Sequence, residues 1–192
     1  MIQTNCALSD KHTFQLKANA RFYAAIDTAH KLKEALEFAH QKEAALLPMG
    51  GGSNLVFMND YPGLILHALT RGIKRLDENK THATLAIEAG EPWHQVVCYA
   101  LNHQLYGLEN LAYIPGSAGG APVQNIGAFG VELAHWFVAA DVTCLKTGRQ
   151  KTLNKKACCF GYRDSVFKDK KNAYYIERIY LKLSKKPIFF TQ

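Results

Sequence analysis

The sequence predicts an α+β fold with more strands than helices, in a smaller unit over residues 1–70 and a larger one over 71–192. Three observations predict it. Short apolar runs recur between turn-forming residues, which is the signature of strands. Only two segments carry the one-face spacing of a helix. No internal repeat or low-complexity linker interrupts the 192 residues, a length suited to one ordinary domain or two small ones.

The elements follow in order. Arg21–Ile26 reads as a strand, and Asp27 or Thr28 can cap a helix whose Leu32, Ala35, Leu36 and Ala39 share a face. Ala44–Leu47 is a short apolar strand running into Pro48-Met-Gly-Gly-Gly-Ser-Asn54, and Leu55–Phe57 resumes an extended pattern. Tyr61-Pro-Gly63 reads as a turn before a strand at Leu64–Leu66. In the second unit Thr84–Ala89 is a strand ending at Gly90. Pro92 suits the first turn of a helix that presents Trp93, Val96, Val97, Ala100 and Leu101 on one face. Gly107 follows its end, and 113–130 is irregular. Two strands flank the Thr147-Gly148 turn, and a last one over 174–184 places Tyr175, Ile179, Leu181 and Leu183 together.

Composition excludes several classes. At 48% hydrophobic and 20% charged, the composition fits a folded soluble protein and argues against disorder. No apolar run approaches the ~20 residues of a membrane span, and Met1-Ile-Gln-Thr-Asn-Cys-Ala is no signal peptide, so a cytoplasmic protein without a membrane partner is expected. The net charge of +7 comes from short clusters such as Arg71/Lys74/Arg75 and Lys168/Lys170/Lys171. A solvated surface accounts for them, and the aromatics sit among apolar residues, so no nucleic-acid partner is expected. Five irregularly spaced cysteines and scattered histidines point to reduced thiols and no metal site.

Glycine carries the functional signal. Eight of the fourteen fall in two places: Gly50, Gly51 and Gly52, then Gly116, Gly119, Gly120, Gly127 and Gly130. Such concentration costs ordering entropy and suits backbone that curls around an anion or approaches a ligand. Gly50–Asn54 follows a strand and suits a pyrophosphate, with Ser53 and Asn54 adding side-chain bonds; on its own it is equally readable as a flexible hairpin loop. It is neither a G-x-G-x-x-G fingerprint nor a P-loop. Ile114–Gly130 is almost uncharged, too rich in Gly and Pro for regular structure and too apolar for exposure. A self-packed loop is one resolution. The other is a buried planar ligand whose polar edge pairs with the backbone, as a flavin ring would.

Taken together, Met49–Leu55, Gly107-Leu-Glu-Asn-Leu111, Ile114-Pro-Gly116, Gly119-Gly-Ala-Pro122, Gln124–Gly130, Val131-Glu132 and Phe160-Gly-Tyr-Arg-Asp-Ser165 resemble, in order and spacing, the UDP-N-acetylenolpyruvoylglucosamine reductases (MurB). The resemblance runs from about His12 to Leu183. It implies a two-lobed FAD-binding unit of the vanillyl-alcohol oxidase type, with Gly50, Gly51, Gly52, Ser53, Asn54 and Leu55 on one side of the cofactor. Pro115, Gly116, Ser117, Gly119, Gly120, Gln124, Asn125, Gly127, Ala128 and Gly130 lie on the other. It further implies NADPH as reductant, a nucleotide-sugar substrate, a monomer, and Arg163 as catalytic and substrate-binding residue with Tyr162 beside it. On composition alone Arg163 next to Asp164 reads as a surface ion pair; the motif reverses that. The family's C-terminal substrate-binding domain, which bears its proton donor, is expected to be absent, leaving the chain alone with little reductase activity. A non-catalytic flavin-binding module is the alternative.

Overall fold

The computed structural model describes residues 2–169 and 173–188; Lys170 and Lys171 of one basic cluster, and the end of the chain at Gln192, lie outside them. A first sheet has the order β1-β2-β4-β3, from β1 (Gln3–Ala7), β2 (Asn19–Ile26), β3 (Leu46–Met49) and β4 (Tyr61–Ala68). The strand β4 lies between β2 and β3 and runs parallel to both, with Tyr23 opposite Ile65 and Met49 opposite His67. Helix α1 (Ala29–Gln41) begins where Thr28 Oγ1 accepts from Lys31 N at 3.2 Å, and it buries Leu32, Ala35 and Ala39. Asp27, the alternative cap, pairs with Lys31 Nζ at 2.6 Å instead.

The second sheet is antiparallel, in the order β10-β9-β11-β6-β5. It comprises β5 (Ile73–Glu78), β6 (His82–Glu88), β9 (Phe137–Cys144), β10 (Gln150–Asn154) and β11 (Tyr174–Ser184). Between β6 and β9 come α2 (Trp93–Asn102), a long irregular segment, and a two-residue hairpin of β7 (Gly127–Ala128) and β8 (Val131–Glu132); a short α3 (Val166–Asp169) precedes β11. One core joins the inner face of the first sheet, α1, α2 and the second sheet. Within it Trp93 is fully buried and its indole N–H donates to Leu111 O at 2.8 Å, which anchors the irregular segment. A register shift at Glu177 puts Tyr175 and Ile176 both inside; Ile179, Leu181 and Leu183 follow on the core face, as their spacing predicts.

Four expectations need correction. The strands β1 and β5 were not foreseen: each is a sheet edge whose residues are almost all exposed, so hydrophobic alternation gives no sign of them. Leu55–Phe57 pairs with no strand, because the chain must leave the end of β3 and return to the start of β4. Tyr61-Pro-Gly63 opens β4 rather than forming a turn; Leu64 N bonds Ala45 O at 2.8 Å, and a Cβ on Gly63 would meet that oxygen at 2.2 Å. Finally, Pro92 sits at the N-cap just outside α2, and Leu101, about 80° around the helix from Trp93, is exposed.

Candidate functional site

The site forms where β3 ends. Loop 50–55, leaving the first sheet, meets loop 115–124, which is hydrogen-bonded to the start of α2 through Trp93 N and Gly116 O, across a cavity of about 150 Å³. Gly50, Gly51, Gly52, Ser53, Asn54, Leu55, Pro115, Gly116, Ser117, Gly120 and Gln124 all line it. Two side-chain bonds tie the loops: Ser53 Oγ to Pro115 O and Asn54 Nδ2 to Gln124 Oε1, both 3.2 Å. A second cavity of about 120 Å³ shares Pro48, Met49, Gly50, Ser117, Gly120 and Val123 with the first and continues past Gly119 to Tyr175 and Ile176.

The glycines are there because the loops touch. A Cβ on Gly50 would stand 2.2 Å from Ser117 Oγ, and one on Gly51 would stand 3.0 Å from Gly116 Cα. Gly52, at φ +63°, backs onto His12. This close approach leaves donors over: among the described residues the backbone N–H groups of Gly51, Gly52, Ser53, Asn54, Gly116 and Ser117 donate to no protein acceptor. Ser117 is buried and its hydroxyl also has no partner. Clustered unpaired N–H groups on an uncharged, glycine-built cradle are the chemistry of an oxyanion site. Each cavity is small beside a typical ligand site, so a long ligand would thread the cleft between the loops rather than fill one chamber. The unpaired peptide N–H groups and the Ser117 hydroxyl are donors of the kind that a diphosphate, such as that of FAD, would require.

The other expected residues divide. Gly119 donates to Ala89 O at 2.8 Å, and a Cβ there would strike Ala89; it lines only the second cavity. Gly127, Ala128 and Gly130 belong to the β7–β8 hairpin and line neither cavity. Asn125 is fully buried, its side chain committed to the protein: Nδ2 donates to Glu132 Oε2 at 2.8 Å and Gly161 O at 3.0 Å, and Oδ1 accepts from Ala134 N at 3.0 Å. It is a bracket joining the hairpin to the Gly161–Asp164 turn. On that turn Arg163, at φ +53°, donates to Gly127 O, and Tyr162 is exposed. No ion pair joins Arg163 to Asp164 among the described residues, so the guanidinium faces the hairpin, not its neighbour. Phe129, at φ +48°, is exposed on the same hairpin.

Sequence reading missed two histidines beneath the glycine loop. His12 is buried, edge-on to Phe57, with Nε2 at 3.2 Å from Leu16 O. His67 takes the Tyr23 hydroxyl on Nδ1 at 2.6 Å. Burial first, then Lys11 and Arg71, holds His67 down at about 4, while burial pushes the Tyr23 phenol up to about 12, so both are neutral near pH 7. No local signal places His67 opposite Met49; the parallel pairing of β3 with β4 does. A larger cavity, about 1200 Å³, is an open groove between α1 and the β9–β10 turn; no residue of loops 50–55 or 115–124 lines it.

Residues 20–154 match the model of the FAD binding domain family. The chain belongs to that family. As an FAD-binding domain it is 40% identical over 191 residues to a UDP-N-acetylenolpyruvoylglucosamine reductase of Amoebophilus asiaticus, covering 99% of this chain and 56% of the relative. A reductase of that name from Pseudomonas savastanoi is 39% identical over 184 residues, covering 96% and 54%. The chain thus spans about half the length of the curated relatives it matches. Among solved structures, the reductase of Thermus caldophilus superposes with TM-score 0.75 at 26% identity, over 97% of this chain and 63% of that one. A vanillyl-alcohol-oxidase-type flavoprotein of Myceliophthora thermophila superposes with TM-score 0.61 at 16% identity, over 86% and 32%, a likeness of fold alone. The α+β, two-sheet architecture of this FAD-binding domain is the one those flavoproteins share.

Proposed function

We propose that the chain is the FAD-holding portion of an NADPH-dependent reductase that converts UDP-N-acetylglucosamine enolpyruvate to UDP-N-acetylmuramate in peptidoglycan synthesis. The observation that carries it is the pair of glycine loops, 62 residues apart at Ser53 and Pro115, closing on one cavity with unpaired N–H donors. Bound there, FAD supplies hydride transfer from NADPH to the enolpyruvyl double bond. Gly51, Gly52, Ser53, Asn54, Gly116 and Ser117 hold its diphosphate, Gln124 braces Asn54, and the uncharged 119–130 backbone offers polar edges and apolar walls to the ring. Arg163 projects from a turn braced by Asn125 and Gly127, and it holds the carboxylate as negative charge develops on the enolpyruvyl group. Tyr162, exposed beside it, contacts the substrate. Kinship with reductases favours this reading over a non-catalytic flavin module.

The same reading makes the protein a cytoplasmic monomer that acts on a nucleotide-sugar, without nucleic-acid or membrane partners. No helix among the described residues is long and apolar enough to cross a membrane. We place the smaller FAD-binding lobe over residues 1–70 and the larger over 71–192. The purified chain should carry or take up one FAD, seen as a flavin absorbance band and a saturable titration. Alone, it should oxidise NADPH with the enolpyruvyl substrate only feebly. Failure to bind FAD overturns the proposal, and turnover matching a full-length reductase overturns the assignment of the remaining chemistry to a part outside these 192 residues.

A further inference from the structure

Beneath the glycine loop lies a polar pair on the face of the first sheet opposite α1. His67 on β4 stands between Ala25 of β2 and Met49 of β3, the residue just before Gly50. Tyr23, two residues back along β2, reaches diagonally across, its hydroxyl at 2.6 Å from Nδ1 and the two rings edge to face. Around them Leu8, Ala20, Met49 and Ile65 form an apolar cluster. A buried tyrosine and a half-buried histidine in such surroundings call for a use of their donors and acceptors.

With the Tyr23 hydroxyl as donor, Nδ1 accepts and the ring proton sits on Nε2, which leaves an N–H for a second partner. Gly50 follows Met49, the residue opposite His67, and its backbone raises the histidine's proton affinity, as a carbonyl facing a ring N–H does. A trans peptide points its C=O and the following N–H in opposite directions. A Gly50 carbonyl drawn down onto His67 therefore turns the Gly51 N–H up, away from the sheet. That N–H has no protein acceptor among the described residues, and Gly51 lines the cavity.

We propose that Tyr23 and His67 are positioning residues for phosphate: the pair holds the Gly50 carbonyl and so aims the Gly51 N–H at the anion in the cleft. This rests on reading loop 50–54 as the diphosphate cradle. Glycine at 50 and 51 has no side chain to prefer one peptide orientation, so the loop needs an outside constraint, and the histidine supplies it. The pair touches neither the ring nor the substrate in this scheme.

The test compares FAD with riboflavin, which has the ring but no phosphate, by fluorescence titration of the chain. His67→Phe and Tyr23→Phe should weaken FAD about tenfold, the worth of one charge-assisted hydrogen bond, and leave riboflavin unchanged. His67→Gln, whose amide can both accept from Tyr23 and donate to Gly50, should restore most of the FAD affinity. Melting temperatures report folding separately. Parallel loss of FAD and riboflavin, or wild-type FAD affinity in His67→Phe, overturns the proposal. Equal wild-type affinities for FAD and riboflavin overturn the diphosphate cradle itself and the proposal with it.

Discussion

Replacing Asn125 with alanine removes a buried side chain that joins the β7–β8 hairpin to the turn bearing Arg163. Three hydrogen bonds go, to Glu132 at 2.8 Å, to Gly161 O at 3.0 Å and from Ala134 N at 3.0 Å. Each is worth about 1 kcal/mol net, and more where a buried partner is left unpaired. Position 125 also has φ +41°, a left-handed conformation that asparagine tolerates and alanine resists by about 1 kcal/mol. The expected loss is about 4 kcal/mol, or a fall in melting temperature of roughly 8–16 °C for a chain of this size. Urea unfolding followed by circular dichroism measures it, with an unchanged slope showing that the native state is intact. Asn125→Asp is as damaging at neutral pH, because a carboxylate has no donor for Gly161 O and faces the Glu132 carboxylate, and acidification relieves it. A loss below about 1 kcal/mol for Asn125→Ala would refute the reasoning, since the bracket would then carry nothing.

Two further outcomes follow from the site. Gly50→Ala places a Cβ 2.2 Å from Ser117 Oγ, so it should destabilise the chain by about 1–3 kcal/mol and weaken FAD; adding Ser117→Ala should recover much of the stability, and a lone Gly50→Ala with native melting and native titration contradicts the close approach. His67, held at about 4 against an unfolded value near 6.5, binds fewer protons folded than unfolded between those values; stability should therefore decline as pH falls from about 6.5 toward 4. The wild-type decline should exceed that of His67→Gln by up to about 3 kcal/mol, and identical pH–stability curves would show that the imidazole is not desolvated.

Helix α1 was legible in detail, because a capping threonine and an apolar stripe are local signals that need no partner. So was the β9–β10 hairpin around Thr147-Gly148. The edge strands β1 and β5 were not, since an exposed strand is made by its neighbour's free hydrogen bonds rather than by its own pattern. Loop 50–54 was found by its glycines, yet its support was hidden: His67 reads as one more residue of an apolar strand until β3 is laid beside it. Asn125 sits within a glycine-rich motif that reads as ligand-binding, and its actual partners, Glu132, Ala134 and Gly161, are nearby or distant in sequence with nothing to mark them.

By itself the amino-acid order determined where backbone would be free: two glycine-rich stretches, uncharged and unable to form regular structure. What that freedom is used for was decided only by tertiary structure, because an absent Cβ looks the same in a sequence whether a ligand or a neighbouring chain takes its place. At Gly119 Ala89 takes it, at Gly52 His12, and at Gly50 and Gly51 the facing loop comes so close that peptide N–H groups line the cleft with no protein acceptor of their own.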